Sequence, residues 1–198
     1  MQVYVLVYFH SGEVKDGLQF LVTKKRELGY FFEGALVPKG KKLNSAGAYV
    51  LPGGKHEVSD QGKDLTGDGV REFLEETGYD LAYAKSEMFL TTRGKSHAFA
   101  TLQVESLDKL KAIKQAIDPC LVEGNQAAAK VKDRTVDTWE DLKNSYPLCP
   151  TSNELESVDL WDSRLQRAEV MAWKNSTATD WFHNFMIKEF AQFFTQQK

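Results

Sequence analysis

The segment Arg71 to Gly78, REFLEETG, constrains this chain more than any other. At about 100° per residue, a helix through it gathers Glu72, Glu75 and Glu76 within an arc of roughly 100° and turns Val70, Phe73 and Leu74 toward a core. Such a helix is charged against itself. Asp68, Glu72, Glu76 and Asp80 recur at i, i+4, and each like-charged pair costs a few tenths of a kcal/mol. Glu75 and Glu76 fall in the last turn, where the helix dipole prefers cations, and only Arg71 offers an i, i+4 counter-charge, to Glu75. Clustered oxygens that disfavour a bare helix suit a hard divalent cation, which points to chemistry on phosphates. Gly78 fits a left-handed helix cap, and Pro52-Gly53-Gly54 predicts a sharp turn that lets a ligand approach the backbone.

Around this segment the pattern predicts strands alternating with a few helices, an α/β sheet covered by helices. Val3 to Phe9, Leu18 to Thr23, Ala48 to Leu51, Lys85 to Thr91, His97 to Val104 and Val158 to Trp161 read as strands. Residues 29 to 48, with Gly34, Pro38, Gly40 and Gly47, read as a long surface loop. Helices are expected near Asp68 to Thr77, from Leu107 to Ile117 with a stop at Asp118-Pro119, near Gln126 to Lys130, and from Thr138 to Asn144. Glu169 to Trp173 reads as a strand or a helix start. The C-terminal Thr179 to Thr195 reads as one amphipathic helix whose stripe (Phe182, Phe185, Met186, Phe190, Phe193, Phe194) faces the core. The 198 residues allow one domain, with roughly 105 to 150 as an insertion on a smaller core, before the final strand and helix region.

These residues together resemble a known pattern. Arg71-Glu72-Phe73-Leu74-Glu75-Glu76-Thr77-Gly78-Tyr79 is similar to the second half of the Nudix box, G-x5-E-x7-R-E-U-x-E-E-x-G-U, where U is bulky and apolar. Leu51-Pro52-Gly53-Gly54-Lys55 resembles the strand and Gly-Gly turn that open it. The middle departs from the pattern. Asp60 stands where glutamate is expected, ten residues rather than seven separate it from Arg71, and Asp64 is the alternative stand-in.

The resemblance implies an α/β/α sandwich with a mixed sheet, and Mg²⁺-dependent hydrolysis of a diphosphate linkage in a nucleoside diphosphate derivative, with Mn²⁺ as an alternative ion. It implies that Glu72, Glu75, Glu76 and the Gly53 carbonyl ligate the metal. It implies that Arg71 orients the glutamates and that the base is either a glutamate of the box or Glu154 from a later acidic segment, with Glu156 second. A catalytically weak nucleotide-binding or regulatory module is the alternative. Where the family's ADP-ribose and dinucleoside polyphosphate hydrolases tend to carry proline and tyrosine, this chain has Arg93 and Lys95, so the substrate is left open.

The remaining signals are weaker. The net charge of −3 offers no field for nucleic acid, and the runs Lys24-Lys25-Arg26 and Lys39 to Lys42 read as surface charge. Cys120 and Cys149 lie in no metal spacing and suggest a reduced, cytoplasmic protein. No apolar run is long enough to span a membrane. Gly34 to Lys42 fails as a P-loop on spacing. The four histidines form no paired motif, although His56 flanks the Gly-Gly turn. The insertion and the aromatic C-terminal helix leave a homodimer open.

Overall fold

A computed structural model describes residues 1–56 and 64–195. Its centre is a mixed sheet. Strand β1 (Gln2–Phe9) runs parallel to β8 (His97–Gln103), and β8 pairs antiparallel with β7 (Phe89–Arg93). On its other side β1 meets β6 (Gly53–Lys55) near its start and β2 (Gln19–Lys25) near its end, both antiparallel. Strand β2 also pairs with β5 (Tyr49–Val50) and along its whole length with β9 (Leu155–Asp162).

Both faces of β1 are buried, because helices cover both sides of the sheet. Helix α1 (Leu65–Thr77) lies on one face. A Cβ on its Gly69 would sit 3.1 Å from Val3 and 3.2 Å from Val5, so the glycine lets the helix approach β1 closely. The long helix α2 (Leu107–Lys132) packs beside α1 and most extensively on β9. The opposite face, with Tyr4, Tyr8 and Phe99, receives the C-terminal helices. Phe185 of α5 (Asp180–Glu189) stacks on Phe99 at 4.0 Å, while Phe182 and Phe190 meet Tyr4 and Tyr8 edge-on. This is the α/β sandwich with a mixed sheet that the sequence led us to expect. Among the described residues, no helix is long and apolar enough to cross a membrane.

Five local expectations are corrected. Residues 29 to 48 are not a loop: β3 (Leu28–Phe32) and β4 (Ala35–Lys42) form a separate two-stranded hairpin. Its turn places Glu33 and Gly34 at φ of 46° and 86°, the paired positive values of a tight hairpin turn, and Pro38 and Gly40 fall where the ladder is irregular. The helix from Leu107 does not stop at Pro119 but runs through it to Lys132. Its buried stripe continues on both sides of the proline, with Leu110, Ile113 and Ile117 before it and Leu121, Ala127, Ala128 and Val131 after it. That packing outweighs the roughly 3 kcal/mol that an interior proline costs. Leu74 is 40% exposed, so α1 buries Val70 and Phe73 without it. The strand expected from Lys85 starts at Phe89, after a 3-10 turn at Ala82–Glu87. The C-terminal helix breaks at Phe190 into α5 and α6 (Ala191–Thr195), although its aromatic stripe is buried as expected. Two short helices complete the chain, α3 (Trp139–Ser145) and α4 (Arg167–Ala172).

The expected insertion contributes to two cores. The first half of α2 joins the main core through Leu110, Ile113, Ile117 and Leu121. Its second half joins Phe31 of the hairpin and Leu142 of α3 in a smaller cluster.

Candidate functional site

The site is built where α1 meets β6: Gly53 and Gly54 are not the sharp turn the sequence predicts but pair as strand with Tyr4 and Val3 of β1, after a bend at Pro52. Asp64 caps the start of α1 by accepting from Gly67 N at 2.9 Å, and Lys85 lies 2.5 Å away. Asp60, the other candidate for the missing glutamate, lies outside the described residues. At the far end Gly78 takes φ 76° and closes the helix through its N–H to the Leu74 carbonyl, as expected.

The glycines are required by contact. A Cβ on Gly53 would meet the Val3 carbonyl at 2.1 Å, and one on Gly54 would meet the Glu72 carboxylate at 2.2 Å. Gly54 therefore gives Glu72 its place against β6. Gly53 donates its N–H to Glu76 Oε2 at 2.8 Å, and Glu76 is 4% exposed. Both glutamates line a cleft of about 670 Å³, together with Gly53, Gly54, Lys25 and Glu154. Its aromatic side holds Tyr4 and Trp181, stacked 6.3 Å apart.

Arg71 spans two glutamates. It donates to Glu75 at 2.9 and 3.0 Å and to Glu72 at 2.9 Å. Glu75 is thus held in a bidentate pair and is not one of the residues lining the cleft. Of the expected ligands, the structure brings Gly53, Glu72 and Glu76 to one wall, with Glu75 behind Arg71. Glu154 joins them from the strand side.

The sequence had assigned Lys25 to a surface run, yet it stands among these acids. Its Nζ lies 2.6 Å from Glu154 Oε2 and 3.9 Å from Glu76 Oε1, with the side chain 15% exposed. Its neighbour Lys24 instead pairs with Glu156 at 3.4 Å on the outer surface. Strand alternation puts adjacent residues on opposite faces. A register shift against β9, where Lys24 faces Ser157 and Lys25 faces Leu155, supplies an acid to each lysine.

The segment that presents Glu154 is itself anchored. Ser152 N donates to the Glu75 carbonyl of α1, Asn153 N to the Phe31 carbonyl of the hairpin, and Arg26 N to the Glu154 carbonyl, each at 2.9 Å. The Asn153 side chain accepts from Tyr30 N and donates to the Gly124 carbonyl of α2, each at 3.2 Å.

Burial sets the electrostatics. Desolvation lifts the Glu72 carboxyl to a pKa of about 7, although the Arg71 guanidinium pulls it down. Burial also pushes Glu76 upward, opposed by Lys25 and the Gly53 N–H. Burial alone would lower the Lys25 ammonium, but Glu76, Glu154 and Glu72 together hold it above its ordinary value. The wall formed by Glu72, Glu76 and Glu154 is thus negative, with Lys25 paired into it, and Lys41, Lys42 and Lys55 also line the cleft.

The donor set is carboxylate and peptide oxygen, with no thiol or imidazole, which suits a hard divalent ion. Among the described residues, no three acidic, histidine or cysteine side chains converge into a ready cage. Two carboxylates beside a peptide carbonyl fit Mg²⁺, which is held by one or two carboxylates and keeps several waters for a phosphate ligand to replace.

The remaining histidine, arginine, aromatic and cysteine side chains that could carry chemistry are engaged in other contacts. His56 is buried, with Nδ1 against Asp68, and so takes a structural place. Arg93 pairs with Glu189, and His97 stacks on Trp181 at 4.7 Å. Phe31 is in the small core. Both cysteines are buried free thiols.

No protein-family profile matches the chain, and no curated protein matches its sequence. Among solved structures it is similar to a C. elegans Ap4A hydrolase in a binary complex, with 10% sequence identity, a TM-score of 0.35, and coverage of 95% of this chain and 99% of that one.

Proposed function

We propose that this chain is a Nudix-type hydrolase that uses Mg²⁺, or Mn²⁺, to split a diphosphate linkage in a nucleoside diphosphate derivative. The observation that carries this reading is the meeting of Glu72 and Glu76 with Gly53 and Gly54 of β6 on one wall of the cleft. Gly53, Glu72 and Glu76 hold the ion, and Glu75 contributes through Arg71, which fixes the orientation of Glu72. A bound divalent ion supplies charge neutralisation on phosphate oxygens and a more acidic water. Glu72 and Glu154 are the carboxylates placed to take a proton from that water. Tyr4 and Trp181 offer a flat apolar surface for a nucleobase. A cleft of about 670 Å³ accommodates a nucleotide-sized ligand.

Lys25 favours a second reading, a nucleotide-binding module without turnover, because it already occupies Glu154 and approaches Glu76. One experiment separates the two. Nucleoside triphosphates, nucleotide sugars, ADP-ribose and dinucleoside polyphosphates are incubated with Mg²⁺ and the wild-type protein or Glu76→Gln, and the products are identified. Cleavage between phosphates by wild type, lost in the variant, is expected. A panel on which both are equally inert sinks the enzyme reading.

A further inference from the structure

We infer that Lys25 is a built-in counter-cation of the carboxylate cleft, and that its ammonium takes the place of one divalent ion. This rests on the metal-site reading above and concerns how many ions the cleft accepts.

The placement of Lys25 is over-determined by its backbone. Lys25 N donates to the Ala48 carbonyl at 2.9 Å, Gly47 N donates to the Lys25 carbonyl at 3.0 Å, and the next amide, Arg26 N, donates to the Glu154 carbonyl at 2.9 Å. Both sides of the residue are pinned, so the side chain leaves the strand in a fixed direction. That direction carries it inward on the face of Leu21 and Thr23, while Lys24 goes outward to Glu156. A lysine tethered to a surface acid would have neither the burial nor the double approach to Glu154 and Glu76.

The charge count gives the consequence. Glu72, Glu76 and Glu154 line the cleft, as do Lys41, Lys42 and Lys55, but among the described residues none of these three lysines pairs with those acids, and Arg71 serves Glu72 from the helix side. Among the described residues, Glu76 and Glu154 have no cation within ion-pair distance other than Lys25. Without it, the buried Glu76 carboxylate of α1 and the partly exposed Glu154 carboxylate on the approach to β9 would stand together with no cation between them, an arrangement that attracts a divalent ion. With it, Glu154 is engaged and the cleft keeps the Glu72, Glu76 and Gly53 side for metal.

The test uses the full chain, wild type, Lys25→Met and Lys24→Met, titrated with Mn²⁺. Bound ions are counted from the loss of the free Mn²⁺ electron paramagnetic resonance signal. Lys25→Met is expected to bind one more Mn²⁺ per chain than wild type, and Lys24→Met the same number as wild type. Thermal melts give an independent readout. Lys25→Met is expected to melt lower than wild type without metal and to gain more from Mn²⁺ than wild type does, because the added ion replaces the missing ammonium. A lysine with a purely structural role would lower the melting temperature with no extra recovery. Lys25→Gln repeats the measurement if Lys25→Met does not fold cooperatively. Equal stoichiometry and equal Mn²⁺-induced shifts in wild type and Lys25→Met overturn the counter-cation while leaving the metal-site reading intact. Absence of Mn²⁺ binding by every variant at millimolar concentration overturns both, and binding by Lys25→Met alone upholds Lys25 as the occupant of the site.

Discussion

Helix α1 carries Glu72 and Glu76 into the cleft, whereas α2 carries Pro119 through the middle of a buried stripe. Each breaks a local rule, and the compensations differ in kind. Around α1 they are polar: the Arg71 fork, the Gly53 N–H and the Lys25 ammonium. Along α2 they are apolar: Ile113, Ile117 and Leu121 in one core, Ala127 and Val131 in another. Polar compensation leaves desolvated charge that can be used on a ligand. Apolar compensation leaves only stability. The contrast separates a site from its scaffold within one layer of the same sandwich.

Glu76→Gln breaks the contrast if it is wrong. The amide still accepts from Gly53, so the substitution removes charge and little else. Hydrolysis is expected to fall by roughly 10³-fold or more, about 4 kcal/mol of barrier, while the melting temperature holds or rises because a buried charge is gone. A joint loss of activity and stability would put Glu76 with the scaffold. On α2 the expected pattern is the reverse. Ile117→Ala should cost roughly 2–5 kcal/mol in denaturant unfolding, with Mn²⁺ affinity of the folded protein unchanged. A loss of affinity at that position would mean that the two helices are not separate in function.

The pH dependence sharpens the α1 side. The Glu72 carboxyl is raised from about 4.5 to about 7 in the folded protein. Between those values the native state binds more protons than the unfolded state. Its contribution to metal-free stability therefore falls as pH rises through this window, and is flat on either side. The amplitude is on the order of 3 kcal/mol. It is read as the difference between wild type and Glu72→Gln in melts from pH 4 to 8, and saturating Mg²⁺ should flatten it. A difference that grows with pH would reverse the assigned burial effect. The smallest effect is expected at Pro119→Ala, which restores a missing helix hydrogen bond and should stabilise by about 1–2 kcal/mol. Destabilisation there would show that the proline ring itself is packed into the fold.

What the sequence made legible follows the same division. The spacing from Arg71 to Gly78 encodes the helix and its cap, and it brings Glu72 and Glu76 to the cleft, but periodicity groups Glu75 with them where Arg71 holds it aside, and it does not show that Gly53 and Gly54 pair as strand with β1. Pro119 hides the continuity of α2 because its cost is local, whereas the buried stripe that carries the helix through it, from Leu110 to Val131, is an extended pattern. The β3–β4 hairpin was hidden by residues that usually interrupt strands, although Gly34 is what its tight turn requires. Lys25 was unreadable for another reason. Which of two adjacent lysines turns inward depends on the register of β2 against β9, which lies about 130 residues away along the chain. The alternation of β2 named two faces, but only the fold says which one meets α1.

The three anchors of residues 152 to 154 have a consequence for how such a chain can change length over evolution. One residue hangs on α1, the next on the hairpin, the third on Arg26 just past β2. An added or deleted residue between Thr151 and Leu155 would shift all three attachments at once and take Glu154 out of reach of Lys25. Drift in spacing is therefore closed off in a segment that no sequence pattern marks as held.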